Sequence, residues 1–583
     1  MVSVAGDSVT TRMKWIADGG KLLRIVTPAS SEVIENGDLS IAVNAYETSS
    51  EVASVTYQLT RGTETIASGS LAKQGDWSWR TTVPRALLGP AAYALSVSAT
   101  NDKSEVNTTQ GSFTVAAKVA MRPNASLTPW RQFGGGPRRG GLAQSSIRPP
   151  LCPIWIAGTG GTMDVGSPVL DGGTLYVGVK DRRDLANNGV LALDVRDGLT
   201  KWFAPTPAAV SHSVAVDDLR VYACSHGGIL HALDRTTGNQ LWQQVLGSSR
   251  MRWQYGGPVV DGSRVYAGTY AYFGAYDTAT GAEVWHQSYG SDWISCNAAP
   301  ATDGVRVLVP ANWASKSVIA VNPNTGGSLW GYTGGGVHGS PIMTGDKAVF
   351  SDYNGVLNCV RLADGGGVWA VALGGGRSAS TPAVSGNVVV AGGTGSIKAF
   401  RLDNGTQLWN FNIASSPLKM APYNNGFSAL AGSPTIAGSY VYVPCGDGRL
   451  YVLNLSTGAQ EWSKDFGTPI LSAPCISGNF LFLTAFDGNV YALGGKDAFP
   501  ATDLDGDGDV DQADMTIFDH CFTGPAVSYD PPNKPQACNL TPDGQGFIAA
   551  DFDQDDDVDQ SDFGIFQRCY SGEDNPVDLN CGN

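Results

Sequence analysis

One stretch returns throughout the middle of the chain, most plainly as LHALDRTTGNQLW at residues 230–242: a short apolar strand, a turn carrying Thr-Gly, and a strand closing on Trp. The closing residues are Trp202, Trp242, Trp285, Trp330, Trp369, Trp409 and Trp462, at intervals of 40, 43, 45, 39, 40 and 53 residues. Ahead of each Trp comes a fixed order of a small residue plus Pro (Val214 in the repeat closing on Trp242), a strand, a Gly-containing turn, a second strand, and then the Leu-Asp strand. Each repeat therefore reads as four short antiparallel strands, the content of one propeller blade. A unit of this kind cannot bury its apolar face alone and must stack on its neighbours.

An eighth repeat is split. Ser472-Ala473-Pro474 through Tyr491-Ala492-Leu493 supplies three strands without a Trp, while Ile154-Trp155-Ile156 stands 47 residues before Trp202 with no strands ahead of it. Pairing the two halves leaves no open sheet edge, so an eight-bladed ring closed by the strand around Trp155 is expected over residues 151–495.

The net charge of −15 is concentrated at one end: Asp503 to Asn583 holds 19 acidic and 2 basic residues. Such a tail suggests metal binding and gives no support to nucleic-acid binding. No transmembrane segment is expected, because no apolar run is long enough to span a bilayer. Met1-Val2-Ser3-Val4-Ala5-Gly6-Asp7 lacks the basic and apolar regions of a signal peptide. Since Val9 to Trp15 already reads as strand sequence, residues 1–20 are taken as a remnant of something larger and the start as truncated. Six cysteines (Cys152, Cys224, Cys296, Cys359, Cys445, Cys475) are scattered through the repeats, where buried free thiols are the default. Cys521, Cys538, Cys569 and Cys581 fall in the small tail, where disulfides are expected.

Residues 21–118 alternate apolar and polar positions in Leu39-Ser40-Ile41-Ala42-Val43, Val55-Thr56-Tyr57-Gln58-Leu59 and Tyr93-Ala94-Leu95-Ser96-Val97, separated by turn residues, the pattern of a two-sheet sandwich. This stretch resembles bacterial immunoglobulin-like domains, which implies a spacer. Residues 119–150, rich in Gly, Pro and Arg, read as a linker, as do 496–502.

Within the first linker, Trp130-Arg131-Gln132-Phe133-Gly134-Gly135-Gly136-Pro137-Arg138-Arg139-Gly140 resembles the lead-in of the pyrroloquinoline-quinone-like propeller family. The turn Asp234, Thr237, Gly238, Trp242, repeated as Asp277, Thr280, Gly281, Trp285, is similar to that family's tryptophan-docking motif; the copy before Trp462 has Asn454 for Asp. The resemblance implies that each indole ties neighbouring blades together. Catalytic members hold the quinone with calcium, an Asp base and usually a disulfide between adjacent cysteines. This chain has no Cys-Cys pair and its loops are poor in acids, so no catalytic residue is assigned and the quinone is not expected. The non-catalytic branch, which includes the propeller lipoprotein of outer-membrane barrel assembly, implies a protein-binding scaffold.

Propellers bind ligands where loops converge near the axis. The loops ahead of the strand-opening prolines carry Arg250, Arg252, Trp253 and Tyr255, then Trp293 and Asn297, then His338, Arg377 and Lys419. Cations interleaved with aromatics could receive an anionic or carbohydrate partner, although ordinary solvated loops would look the same.

The tail, 503–583, carries the sharpest chemical signal. Asp503, Asp505, Asp507 and Asp514 occupy positions 1, 3, 5 and 12 of a loop with Gly508 at 6 by way of Gly506-Asp507-Gly508 and an apolar Val510 at 8, and Asp509 between them. The loop returns 48 residues later as Asp551, Asp553, Asp555, Asp557 and Asp562. Calcium needs hard oxygens arriving from alternate residues, with a last carboxylate from the following helix. In the second copy Asp556 stands at the sharp turn where glycine is favoured, so this second calcium site is expected to be the weaker. Two loop-helix units facing each other resemble type I dockerin domains. The resemblance implies calcium-dependent attachment to a cohesin-like or other cell-surface protein, outside the cytoplasm or in the cell envelope. Gln512-Ala513 and Gln560-Ser561 replace the Ser-Thr pairs common in cellulosomal dockerins, which leaves the partner open. Cys521 with Cys538, and Cys569 with Cys581, are the expected pairs, each tying a helix to the segment after it.

The expected fold is mainly β: an immunoglobulin-like sandwich, an eight-bladed propeller of four-stranded antiparallel blades, and a small helical domain with two calcium loops. Three functional classes stay open: a non-catalytic extracellular adaptor, which is preferred; a quinoprotein oxidoreductase; and the accessory part of a larger secreted hydrolase, such as a phosphoesterase, whose catalytic domain lies upstream.

Overall fold

The computed structural model describes most of residues 21–115, 127–495 and 502–572. Residues 1–20 lie outside the described residues. The chain is mainly β, and among the described residues α-helix occurs only in the tail.

Two sheets form the N-terminal sandwich. One has the strand order Lys21–Thr27, Leu39–Glu47, Ser78–Val83, Ala72–Lys73; the other runs Val33–Ile34, Val106–Val115, Ala91–Asn101, Val52–Arg61, Glu64–Ser70. Leu39, Ile41, Val43, Val55, Leu59, Leu95 and Val97 fill the space between them. The alternation that suggests one buried face is incomplete for Leu39–Glu47, which is buried almost throughout. Its second face is covered because Ala42 joins the core of the neighbouring propeller.

Eight four-stranded antiparallel sheets follow, here called blades 1 to 8. Blade 1 spans 169–205, blade 2 215–245, blade 3 259–288, blade 4 301–332, blade 5 342–372, blade 6 383–412 and blade 7 435–465. Blade 8 takes three strands from 475–495, and its fourth is Leu151–Gly158, paired antiparallel to Asn489–Gly495. The two halves of the split repeat thus complete one sheet.

A register shift precedes the closing Trp in each of blades 1 to 7; in blade 2, Ala232 faces Trp242 but Leu233 faces Gln240. A bulge of this type re-aims one side chain and turns out its neighbour. Leu241, Val284, Leu329, Val368 and Leu408, each immediately before a Trp, are accordingly exposed. The indoles of Trp155, Trp202, Trp242, Trp285, Trp330, Trp369 and Trp409 each donate to a carbonyl of the next blade's turn, at 2.8–3.1 Å. Each ring lies on a glycine of that turn with φ near +70°, where any Cβ would come within 3.0 Å of the indole. Asn454 stands in for Asp through the same acceptor: its Oδ1 takes the Thr457 N–H at 3.1 Å, as Asp234 takes that of Thr237 at 2.8 Å. Blade 8 has no hairpin between its third and fourth strands, so Trp462 instead packs against the shared core of blades 7, 8 and 1.

The stretch read as a linker is, over 127–150, a strap across one end of the ring. Trp130 pairs with Leu170 of blade 1, Arg131 O accepts from Val216 N of blade 2, and the Gln132 amide exchanges two bonds with Val260 of blade 3. Pro137, Arg138 and Gly140 carbonyls accept from Thr302, Met343 and Val384 of blades 4, 5 and 6. Gly141 O accepts from Ile436 N of blade 7, and Ser477 Oγ of blade 8 donates to Thr128 O. Every blade is touched. The glycines here serve close approach rather than flexibility: a Cβ on Gly134 would sit 2.9 Å from the Arg139 backbone, and one on Gly141 would sit 2.9 Å from Ala383.

The sandwich is docked on the opposite end of blades 7 and 8, which corrects its reading as a mere spacer. Asn44 Nδ2 donates to Phe466 O at 3.1 Å and to Asp487 at 3.2 Å, and Asn489 donates to Ser78 Oγ at 3.0 Å. Arg24 and Arg449 flank Asp465 at 3.5 and 3.2 Å. Asp487 is fully enclosed, and burial pushes its carboxyl up. Hydrogen bonds from Tyr491, Asn489 and Asn44 work the other way by favouring the carboxylate.

Candidate functional site

Two helices organise the tail, α1 (Gln512–Cys521) and α2 (Gln560–Cys569). Both begin with an Asp cap, Asp511 and Asp559, and with a reciprocal bond from the carboxylate three residues on, Asp514 and Asp562. That carboxylate also reaches back over its loop. Asp514 accepts from Leu504 N at 2.6 Å and Asp511 N at 3.0 Å; Asp562 accepts from Phe552 N at 2.5 Å and Asp559 N at 2.9 Å. The two halves are wired alike.

In the second loop Asp551, Asp553, Asp555 and Asp562 each bring an oxygen within 4.8 Å of the others. Burial and then the neighbouring Asp562, Asp555 and Asp551 charges push the Asp553 carboxyl up to about 6. Four hard oxygen donors crowded without a counter-charge are chemically suited to calcium. Asp556 has φ +74°, so the left-handed turn is made at this non-glycine position. Asp557 is set apart: its carboxylate accepts from Ala526 N and groups with Asp559 and Asp562. Asp503, Asp505, Asp507 and Asp509 lie outside the described residues, while Asp514 is fully buried at the head of α1.

A support for this loop escapes sequence reading. Tyr529 donates to Asp551 at 2.9 Å, and Thr523 and Gly524 N–H groups both reach Val558 O. No motif announces the segment, since its role depends on the chain folding back. Cys521 and Cys538 are joined at an S–S distance of 2.01 Å. Cys569 is also disulfide-bonded, and Cys581 lies outside the described residues. In the propeller Cys224, Cys359, Cys445 and Cys475 are buried free thiols.

The loop residues singled out on the propeller, Arg250, Arg252, Trp253, Tyr255, Trp293, Asn297, His338, Arg377 and Lys419, lie outside the described residues. What the structure does describe there is a belt around the axis, built from the small residue before the strand-opening Pro of each blade, or before Val214 in blade 2. Ala473 N donates to Ser167 Oγ at 2.6 Å and Ser167 N to Ser213 Oγ at 2.9 Å. Ala299 N donates to Ser340 Oγ at 2.9 Å, Ser340 N to Thr381 Oγ1 at 2.8 Å, and Thr381 N to Ser433 Oγ at 3.0 Å. Each bond joins one blade to the next. The signal in the sequence was the hydroxyl at these positions, which a reading of "small" passes over.

Beside the belt, Arg139 of the strap is fully buried and donates to the carbonyls of Pro300, Phe133 and Pro258. Burial lowers its guanidinium to about 9. His212 packs edge-on to Phe133 and is lowered to about 3, by burial first and then by the Arg139 charge.

Among the described residues no helix is long and apolar enough to cross a membrane. The family described as outer membrane protein assembly factor BamB matches residues 154–292 and 272–497, which together span more than half the chain. The BamB of Moranella endobia (strain PCIT) is 26% identical over 250 residues, 39% of this chain and 63% of that protein. That of Yersinia pestis is 24% identical over 263 residues, 42% of this chain and 55% of that protein. The chain thus spans under two thirds of the length of these relatives. Among solved structures, the quinohemoprotein alcohol dehydrogenase from Comamonas testosteroni superposes with a TM-score of 0.53 at 16% identity, covering 63% of this chain and 81% of that one, a likeness of fold alone. With its eight four-stranded blades and their tryptophan docks, the chain belongs to the BamB-type family of PQQ-like repeat propellers.

Proposed function

We propose that this chain is a non-catalytic adaptor of the cell envelope or extracellular space. Its propeller serves as a scaffold for a protein partner, and its dockerin-like tail attaches it to a cohesin-like receptor when calcium is bound. The observation that carries this reading is the convergence of Asp551, Asp553, Asp555 and Asp562 at the head of α2. The like wiring of Asp514 at the head of α1 supports a second calcium set with Asp503, Asp505 and Asp507. The relatives' name, outer membrane protein assembly factor, supports a partner-binding propeller in the envelope. The immunoglobulin-like sandwich would hold one rim of that scaffold. Carbohydrate is the alternative partner for the propeller loops, and quinoprotein chemistry the alternative function.

Calorimetric titration of the full chain with calcium tests the reading. Two sites are expected, the weaker being abolished by Asp551→Asn with Asp562→Asn. An absence of saturable binding, or a stoichiometry untouched by those changes, would contradict it.

A further inference from the structure

We propose that the propeller axis holds a binding site for a small oxyanion, a carboxylate, phosphate or sulfate group, in a belt made only of hydrogen-bond donors and a buried cation. The argument begins with protons. Ser167, Ser213, Ser340, Thr381 and Ser433 each accept a backbone N–H through the hydroxyl oxygen. None of the five donates its own proton to a protein group among the described residues, although all are buried. A hydroxyl that already accepts is left as a donor, and a buried donor without an acceptor is costly.

His212 is a further donor: its Nδ1 accepts from Ser213 N at 2.8 Å, so the neutral ring carries its proton on Nε2. Blades 3 and 4 have Gly257 and Ala299 at the belt position and contribute no hydroxyl. That sector is filled by Arg139, bonded to the carbonyls of Pro258 and Pro300 that follow those two residues. Arg139 pairs with no carboxylate among the described residues, so its charge is balanced only by carbonyl dipoles.

Hydroxyl donors therefore line the axis on five of the eight blades, Arg139 takes the sector of blades 3 and 4, and blade 8 has Ala473; among the described residues the belt carries one full positive charge and no acid. A carboxylate, phosphate or sulfate oxygen supplies what every member lacks, an acceptor with negative charge. A metal ion is disfavoured by the same inventory. The strap closes the ring beneath this belt, so a ligand would enter from the opposite end.

The test is calorimetric titration of the full chain with phosphate, sulfate and acetate, chloride serving as ionic-strength control, together with anomalous scattering from crystals grown in selenate. One saturable oxyanion per chain is expected, with the selenate peak beside Thr381 and Arg139. Arg139→Gln should weaken binding about tenfold or more, the scale of one charge-assisted contact. Because that change could unfold the ring, Thr381→Val is compared with Thr381→Ser: affinity should fall with valine and recover with serine. No saturable binding, a peak away from the axis, or affinity indifferent to both positions would overturn the proposal.

Discussion

At the scale of single residues, φ and charge decide the outcome. Asp556 sits at φ +74°, which a glycine adopts without strain. Asp556→Gly should therefore stabilise the tail by about 0.5–1 kcal/mol and tighten calcium at the second loop a few-fold. Calcium titration and thermal melting with and without chelator check this; unchanged affinity and stability would mean that the turn is not strained. His212 gives a pH dependence. Its folded-state value lies near 3 against an ordinary 6.5, so the folded protein binds fewer protons between those limits. Stability is then full above about 6.5 and is lost as pH falls toward 3. Urea midpoints at pH 7, 5 and 4 should drop more steeply for the natural protein than for His212→Gln, with Arg139 as the charged neighbour in both; equal slopes would refute the assignment. The clustering of Asp551, Asp553, Asp555 and Asp562 was legible because all four fall within one twelve-residue stretch. Tyr529 and Arg139 were not, since each acts on residues remote in sequence.

At the scale of the element, the hairpin turn and the tryptophan of the preceding blade form one device. Trp285 rests on Gly326 and donates to Pro323 O at 2.8 Å. Trp285→Ala should cost about 3–5 kcal/mol in the cooperative transition. Gly326→Ala, which combines a positive φ with a clash on the indole, should cost at least about 1 kcal/mol. Denaturant unfolding measures both, and a cost for Trp285→Ala below that of an exposed substitution would show that the dock contributes nothing to stability. The blade itself was readable from alternation, turn glycines and the Trp period. The bulge before each Trp was not, because one extra residue leaves the pattern of residue types intact and changes only the pairing. The exposed aliphatics at those bulges follow from pairing, and no docking role is needed to explain them.

At the scale of the whole molecule, the ring depends on what precedes it. Residues 127–150 look like a tether by composition, yet they bond to all eight blades, and the sandwich adds the buried contacts of Asn44 and Ser78. A chain starting at Leu151 should melt several degrees below one starting at Val119, which keeps the strap; equal melting would make the strap dispensable. The contacts between the N-terminal sheets and the ring were not legible, because an intramolecular docking face looks like ordinary strand and loop until its partner is placed. Attachment through the tail is tested by a pull-down from secreted and envelope proteins, using the full chain and a version ending at Gly495, each with calcium and with chelator. Partners lost both on chelation and on truncation are expected; partners that survive both would refute attachment through the tail and assign binding to the propeller alone.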